Sequence, residues 1–346
     1  LLLREVFRGK VLFLKLSAFV VISVGILLLS VGEYLSYTAP DPARPIEWGV
    51  TFSQKFSNEL YSEPGGWQKN YDAILDDLGV RHLRLIAYWD LIEPTDDQFD
   101  FSGLDYQMRR AEEVGADVVL VVGKKVPRWP ECHTPGWAQE LQISDFKFQI
   151  EKEEKLLNFV KVIVERYKDS PALKYWQIEN EPFLPFGECG AVSRRLVDEE
   201  ISLVRSIDSA HPILTTDSGE IGLWYFAAKR GDVFGTTMYR RVHNHYFGSI
   251  DYHVPPEFFR LKEKVIRFLI HDYKKKFVVV ELAAEPWLVR SLRETSPEEQ
   301  FAVFDFPFFQ DSIRYAKVAG FDEYYLWGAE WWYWLKEKHD DDRFWE

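Results

Sequence analysis

The stretch 175–182 reads YWQIENEP: a short apolar run ends on two glutamates, Glu179 and Glu181, with Asn180 between them. A second apolar run, 277–282, closes on Glu281, and Glu285 follows it. Carboxylates are costly to place at the end of a buried run, so they call for a chemical reason. Glycoside hydrolysis supplies one. It needs two carboxyl groups on facing walls of a cleft: one protonates the leaving oxygen, the other attacks the sugar carbon or activates water. Sugar rings also need aromatic faces to pack on, and Arg, Asn and Tyr side chains to bond their hydroxyls. Such residues close the other apolar runs: Arg84 with Trp89, Tyr239, Trp287, and Trp327 with Glu330 and Trp332.

The elements that must position these groups are legible as alternation. Apolar strand-like runs lie at 46–52, 81–88, 117–123, 173–180, 211–217, 232–239, 277–282 and 322–328. Helical stretches separate them at 67–78, 104–114, 150–167, 194–207, 256–273 and 297–319. In the first of these Tyr71, Ile74, Leu75 and Leu78 recur at helical spacing and Gly79 stops the run. VVLVV and VVV are continuous apolar runs, as strands covered on both faces require. Eight strands alternating with helices describe a (β/α)8 barrel, whose site lies at the C-terminal strand ends. An open doubly wound sheet is the runner-up, and the lack of a glycine-rich phosphate loop counts against it.

Composition narrows the function classes. The net charge of −13 disfavours a nucleic-acid partner. No P-loop, dinucleotide fingerprint or HExxH is present, and the chemistry above needs no metal or organic cofactor. His243 and His245 resemble a metal pair but lack further ligands, so a loop or substrate-contact role is expected of them. The run 16–32 carries no charge and comes after Arg4, Arg8, Lys10 and Lys15, the pattern of a membrane anchor with a cytoplasmic N-terminus, or of a signal peptide. Either exports the rest of the chain, to a membrane-anchored or secreted position, where Cys132 and Cys189 could pair. The expected organisation is a flank and transmembrane or signal-anchor helix over 1–36, a proline-rich linker over 37–45, and the barrel over 46–346, with a C-terminal cut suspected because little comes after the last strand. Composition is silent on oligomeric state.

Five segments resemble clan A of the glycoside hydrolases, the (β/α)8 barrels that include cellulases, mannanases and β-galactosidases. WQIENEP is similar to that clan's Asn-Glu-Pro signature at strand four, and VVVELAAEPW to the nucleophile segment at strand seven. YLWGAEWWYW resembles the strand-eight tryptophan segment, LRLIAYW the strand-two arginine segment, and TTMYR the strand-six tyrosine segment. The likeness spans residues 46–335. It implies Glu181 as acid/base, Glu281 as nucleophile, Asn180 on the sugar 2-hydroxyl, Tyr239 bonded to the nucleophile, Arg84 holding it charged, and Trp327 as the floor of the reacting subsite. It also implies retention, with the carboxyl groups about 5–5.5 Å apart. One position departs: Thr237 stands where cellulase-like relatives carry histidine.

Strand alternation puts Glu179 on the same side as Glu181, as a supporting residue paired with a cation. Glu285 is the alternative nucleophile. Trp89, Trp287, Glu330 and Trp332 are expected to line the carbohydrate cleft. The resulting expectation is an endo-acting β-glycanase on a glucan or mannan. The alternatives are an exo-acting enzyme such as a β-galactosidase, or a barrel that binds carbohydrate without turnover.

Overall fold

The structure is a computed structural model and describes residues 40–41, 43–139, 146–244 and 248–346. The expected anchor and His245 lie outside those residues. Among the described residues no helix is long and apolar enough to cross a membrane.

The barrel strands are β1 (Glu47–Thr51), β2 (His82–Ile86), β3 (Asp117–Val122), β4 (Leu173–Ile178), β5 (Ile213–Asp217) and β6 (Val233–Met238). A short antiparallel hairpin, β7 (Arg241–Asn244) and β8 (Gly248–Asp251), leaves the barrel before β9 (Lys276–Ala283) and β10 (Glu323–Trp327) complete it. All barrel pairings are parallel, and β10 pairs with β1, so the sheet closes. The expected runs match these strands; the hairpin has no counterpart among them.

Two apolar layers hold the sheet. Val119, Tyr175, Leu214, Val233, Val278, Val280 and Tyr325 fill the interior. Outside, Trp176, Ile178, Leu83 and Leu85 face helices such as Arg194–Ile207. That helix begins where Ser193 caps Leu196 N–H, and its Leu196, Val197, Ile201 and Val204 form the buried stripe expected from 3.6-residue spacing. The stretch 297–319 forms two helices rather than one. Asp305 caps a second start at Phe306, and Pro307 sits in its first turn, where its missing N–H costs nothing.

A helix does follow the last strand. It is Ala329–His339, built from the tryptophan-rich stretch. Trp331, Trp332, Tyr333, Trp334 and Leu335 are all buried in it. The helix is buried through Leu335, where it is apolar apart from Glu330, and its polar last turn, Lys336 to His339, lies at the surface. Trp332 donates its Nε1–H to Ala284 O at 2.8 Å and packs on Phe309. This corrects the cleft role expected of Trp332. Trp89 needs the same correction: it is fully buried, stacks on Phe159 and donates to Glu93.

Trp331→Ala should therefore cost about 3–5 kcal/mol in urea unfolding. Trp129→Ala, at a side chain 69% exposed, should cost less than about 0.5 kcal/mol. Equal costs would contradict the placement of Trp331 in the core.

Candidate active site

The C-terminal strand ends collect the charged groups. Arg84 on β2 is fully buried inside the barrel. Its Nε donates to Gln177 Oε1 at 2.8 Å, its Nη2 to Asn180 Oδ1 at 2.8 Å, and its Nη1 to Glu281 Oε1 at 2.7 Å. One guanidinium thus ties the end of β4 to the end of β9. Tyr239 closes the other side of Glu281, donating its hydroxyl to Oε2 at 2.9 Å. Both oxygens of Glu281 accept a hydrogen bond from a fixed donor.

A bulge aims Glu281. The register between β6 and β9 steps from Thr236↔Val279 to Thr237↔Glu281, so Val280 has no partner there. Val280 and Glu281, adjacent in sequence, then both serve the interior: Val280 in the apolar cluster, Glu281 on Arg84.

At the end of β4 the alternation expected of Glu179 and Glu181 fails. Both have positive φ, 57° and 43°, which no extended strand allows. Glu179 turns back toward β3. Its carboxylate accepts from Lys125 N–H at 2.6 Å and Lys124 N–H at 3.2 Å. Gly123 leaves the room: a Cβ there would lie 2.5 Å from the Glu179 carboxyl carbon. The expected cation partner is replaced by these two amides, with Lys124 contributing charge only at longer range. Glu200, from the helix Arg194–Ile207, is fully buried, and neither of its carboxyl oxygens has a hydrogen-bond partner. Burial first, then the charge of nearby Glu179, push Glu200 well above the ordinary carboxyl range.

Glu181 turns the other way, into the cleft. Its N–H donates to Thr216 Oγ1 at 2.8 Å, and Lys125 Nζ holds its carbonyl at 2.9 Å. Thr237 donates its hydroxyl to Glu181 Oε1 at 3.1 Å and receives Gly219 N–H at 3.0 Å. The residue that departs from the cellulase-like pattern is thus a partner of the expected acid. Burial first, then the charges of Glu131 and Glu281, raise Glu181 well above the usual carboxyl range. The surroundings of Glu181 thus favour its protonated form, while Arg84 and Tyr239 brace the carboxyl of Glu281.

Glu285 and Glu330 belong to a different cluster. Arg128 pairs with Glu285 and lies 3.5 Å from Glu330 Oε2, while its guanidinium sits over the rings of Phe56 at 3.8 Å and Trp327 at 4.1 Å. Glu330 is fully buried and accepts Ser53 N–H at 2.6 Å, so it braces the wall rather than lining it. Trp327 is nearly buried, with Arg128 on its ring. Trp287 packs edge-on against Tyr239 at 5.4 Å and against Phe186 at 5.9 Å, and Phe186 meets the exposed Trp129 at 6.0 Å. These four rings form a row from the Glu281 hydrogen bond out to solvent. Cys132 and Cys189 are paired, joining the loops that carry Trp129 and Phe186.

Glu131, Lys125 and Glu200 are not singled out as site residues by the sequence. Lys125 is visible there as a strand-end cation. Glu131 and Glu200 show only as one loop acid and one helix acid among many.

Glu200 has a measurable signature. A carboxyl raised by folding keeps its proton longer in the native state, so its contribution to stability falls as pH climbs from its unfolded value toward its native one. Glu200→Gln has no such proton to lose. The variant should melt above wild type at pH 8, with the margin shrinking toward pH 5. Parallel melting curves across that range would contradict a raised Glu200 carboxyl.

Known proteins share the fold and part of the sequence. A family model described as beta-galactosidase, of glycoside hydrolase family 42, matches residues 62–190, from ahead of β2 to beyond Glu181. A beta-galactosidase of Arthrobacter sp is 28% identical over 124 residues, 31% of this chain and 17% of that protein. The chain spans 17–34% of the length of the curated relatives it matches. Among solved structures, endo-glycoceramidase II from Rhodococcus sp. aligns over 83% of this chain and 74% of its own, with TM-score 0.52 and 14% identity. Native xylanase 10B from Thermotoga maritima aligns over 81% of this chain and 82% of its own, with TM-score 0.52 and 15% identity. At those identities the structures share the fold. The closed parallel barrel and the partial sequence match together establish the resemblance to the clan A glycoside hydrolases, without singling out one family within it.

Proposed function

We propose that this chain is a retaining β-glycosidase acting through two glutamates. The observation that carries the reading is the asymmetry between them. Glu281 accepts hydrogen bonds on both oxygens, one from a buried guanidinium. Glu181 is buried, bonded by a neutral hydroxyl, and pushed toward its protonated form by its surroundings. In the first step Glu281 attacks the anomeric carbon, the glycosidic bond breaks, and Glu181 gives its proton to the leaving oxygen. In the second, Glu181 takes a proton from water, the water oxygen bonds the anomeric carbon, and Glu281 is released. Asn180, fixed by Arg84 from behind, is offered to the 2-hydroxyl.

The row Tyr239–Trp287–Phe186–Trp129 supports binding beyond the reacting sugar, hence endo action on a β-glucan or β-mannan. The family-model match favours a second reading, exo action on β-galactosides. The paired cysteines support a location outside the cytoplasm, as the apolar run 16–32 suggests.

Hydrolysis of β-linked polysaccharides and 4-nitrophenyl β-glycosides tests this. Glu281→Gln should abolish turnover of every substrate. Glu181→Gln should slow 4-nitrophenyl substrates about 10²–10⁴-fold yet spare the first step of 2,4-dinitrophenyl glycosides, whose leaving group needs no proton. Fast polysaccharide cleavage with poor aryl-glycoside turnover marks endo action; the reverse marks exo action. Full activity in Glu281→Gln would overturn the assignment.

A further inference from the structure

A third acid lies beside Asn180 and Lys125. Glu131 lies in the loop after β3 and is 8% exposed. That loop folds back on itself: Val126 N–H donates to Glu131 O at 3.0 Å, and Glu131 N–H to Arg128 O at 2.7 Å. The loop after β4 clamps it from the other side. Glu188 N–H donates to Pro130 O at 3.0 Å, and Cys132 is bonded to Cys189. Gly187, at φ 76°, lets the two loops meet, because a Cβ there would lie 2.8 Å from Glu131 Cβ and 2.7 Å from Pro130 O. Glu131 is therefore held in place from two loops.

Its carboxyl is placed but not satisfied. Oε1 lies 3.5 Å from Asn180 Nδ2. Oε2 has no hydrogen-bond partner and lies 3.6 Å from Lys125 Nζ. A carboxylate present only to balance Lys125 would sit at about 2.7–2.9 Å from it. Lys125 instead directs its ammonium at the carbonyls of Glu181 and Leu184, at 2.9 and 2.7 Å. So a buried carboxyl oxygen is left without a hydrogen-bond partner near Asn180, and buried polar atoms of that kind call for one.

We propose that Glu131 contacts substrate: its open oxygen takes the hydroxyl next to the one Asn180 takes, the 3-hydroxyl of the reacting sugar. This rests on the glycosidase reading above. Burial, with the Glu281 charge adding to it and Lys125 opposing, pushes Glu131 up to about 8. A carboxyl group there can accept from that hydroxyl, and donate to it when protonated.

A cycle of group deletions on enzyme and substrate tests the contact. The enzymes are wild type, Glu131→Ala and Glu131→Met, which keeps the side-chain length without a polar atom. The substrates are the 4-nitrophenyl β-galactoside, β-glucoside and β-mannoside with their 2-deoxy and 3-deoxy analogues. In wild type, removing the 3-hydroxyl should lower kcat/KM about ten- to a hundredfold. In either variant the parent glycoside should lose a similar factor, and removing the 3-hydroxyl should then cost almost nothing more. Removing the 2-hydroxyl should cost the same in all three proteins. A 3-deoxy penalty that is equal in wild type and variants overturns the contact and leaves the glycosidase reading standing. A wild type that neither binds nor hydrolyses any of these glycosides, nor any β-linked polysaccharide, overturns both.

Discussion

The site depends on one buried cation. Arg84 has no exposure to water, and an unpaired guanidinium in that position would cost several kcal/mol. Its partners are Gln177, Asn180 and Glu281, drawn from two strands on opposite sides of the barrel interior. Meeting the guanidinium's planar set of donors therefore sets both the orientation of Asn180 and the position of Glu281. Thr51, on the strand beside β2, donates to Val280 O at 3.1 Å and fixes the residue just before Glu281. What stabilises the upper end of the barrel and what orients Asn180 and Glu281 are the same hydrogen bonds. A lysine in place of Arg84 would keep the charge and lose the geometry.

The second constraint is the break at the end of β4. Positive φ at two glutamates costs roughly 1–3 kcal/mol each, and the structure offsets this with hydrogen bonds on either side. Glu179 gains two backbone amides; Glu181 gains Thr216, Lys125 and Thr237. The break sends adjacent acids to different environments. One fastens the loop after β3 to β4, and the other is held by Thr237 on β6. Both carboxyl groups are raised, Glu181 by burial and by the charges of Glu131 and Glu281.

Much of this is visible in the residues before the fold. The apolar runs mark every barrel strand, because strands covered on both faces must be continuously apolar, and YWQIENEP and VVVEL sit where they should in that series. Spacing fails where backbone geometry departs from regularity. Alternation joins Glu179 to Glu181, and positive φ separates them. Trp332 and Trp89 read as sugar platforms because aromatic residues near strand ends serve packing and binding equally well, and only burial distinguishes the two. Glu131 escapes a sequence reading because its closeness to Asn180 arises from a folded-back loop and a disulfide, long-range facts that no local pattern carries.

On the proposed mechanism Glu281 forms a bond to the sugar. An activated 2-deoxy-2-fluoro β-glycoside of the sugar the enzyme prefers slows the second step more than the first, so a covalent adduct accumulates. Peptide mass spectrometry of the inactivated protein should find one added glycosyl group, on Glu281. An adduct on Glu285 or Glu131, or continued turnover with no adduct on a substrate that is readily hydrolysed, would contradict the account.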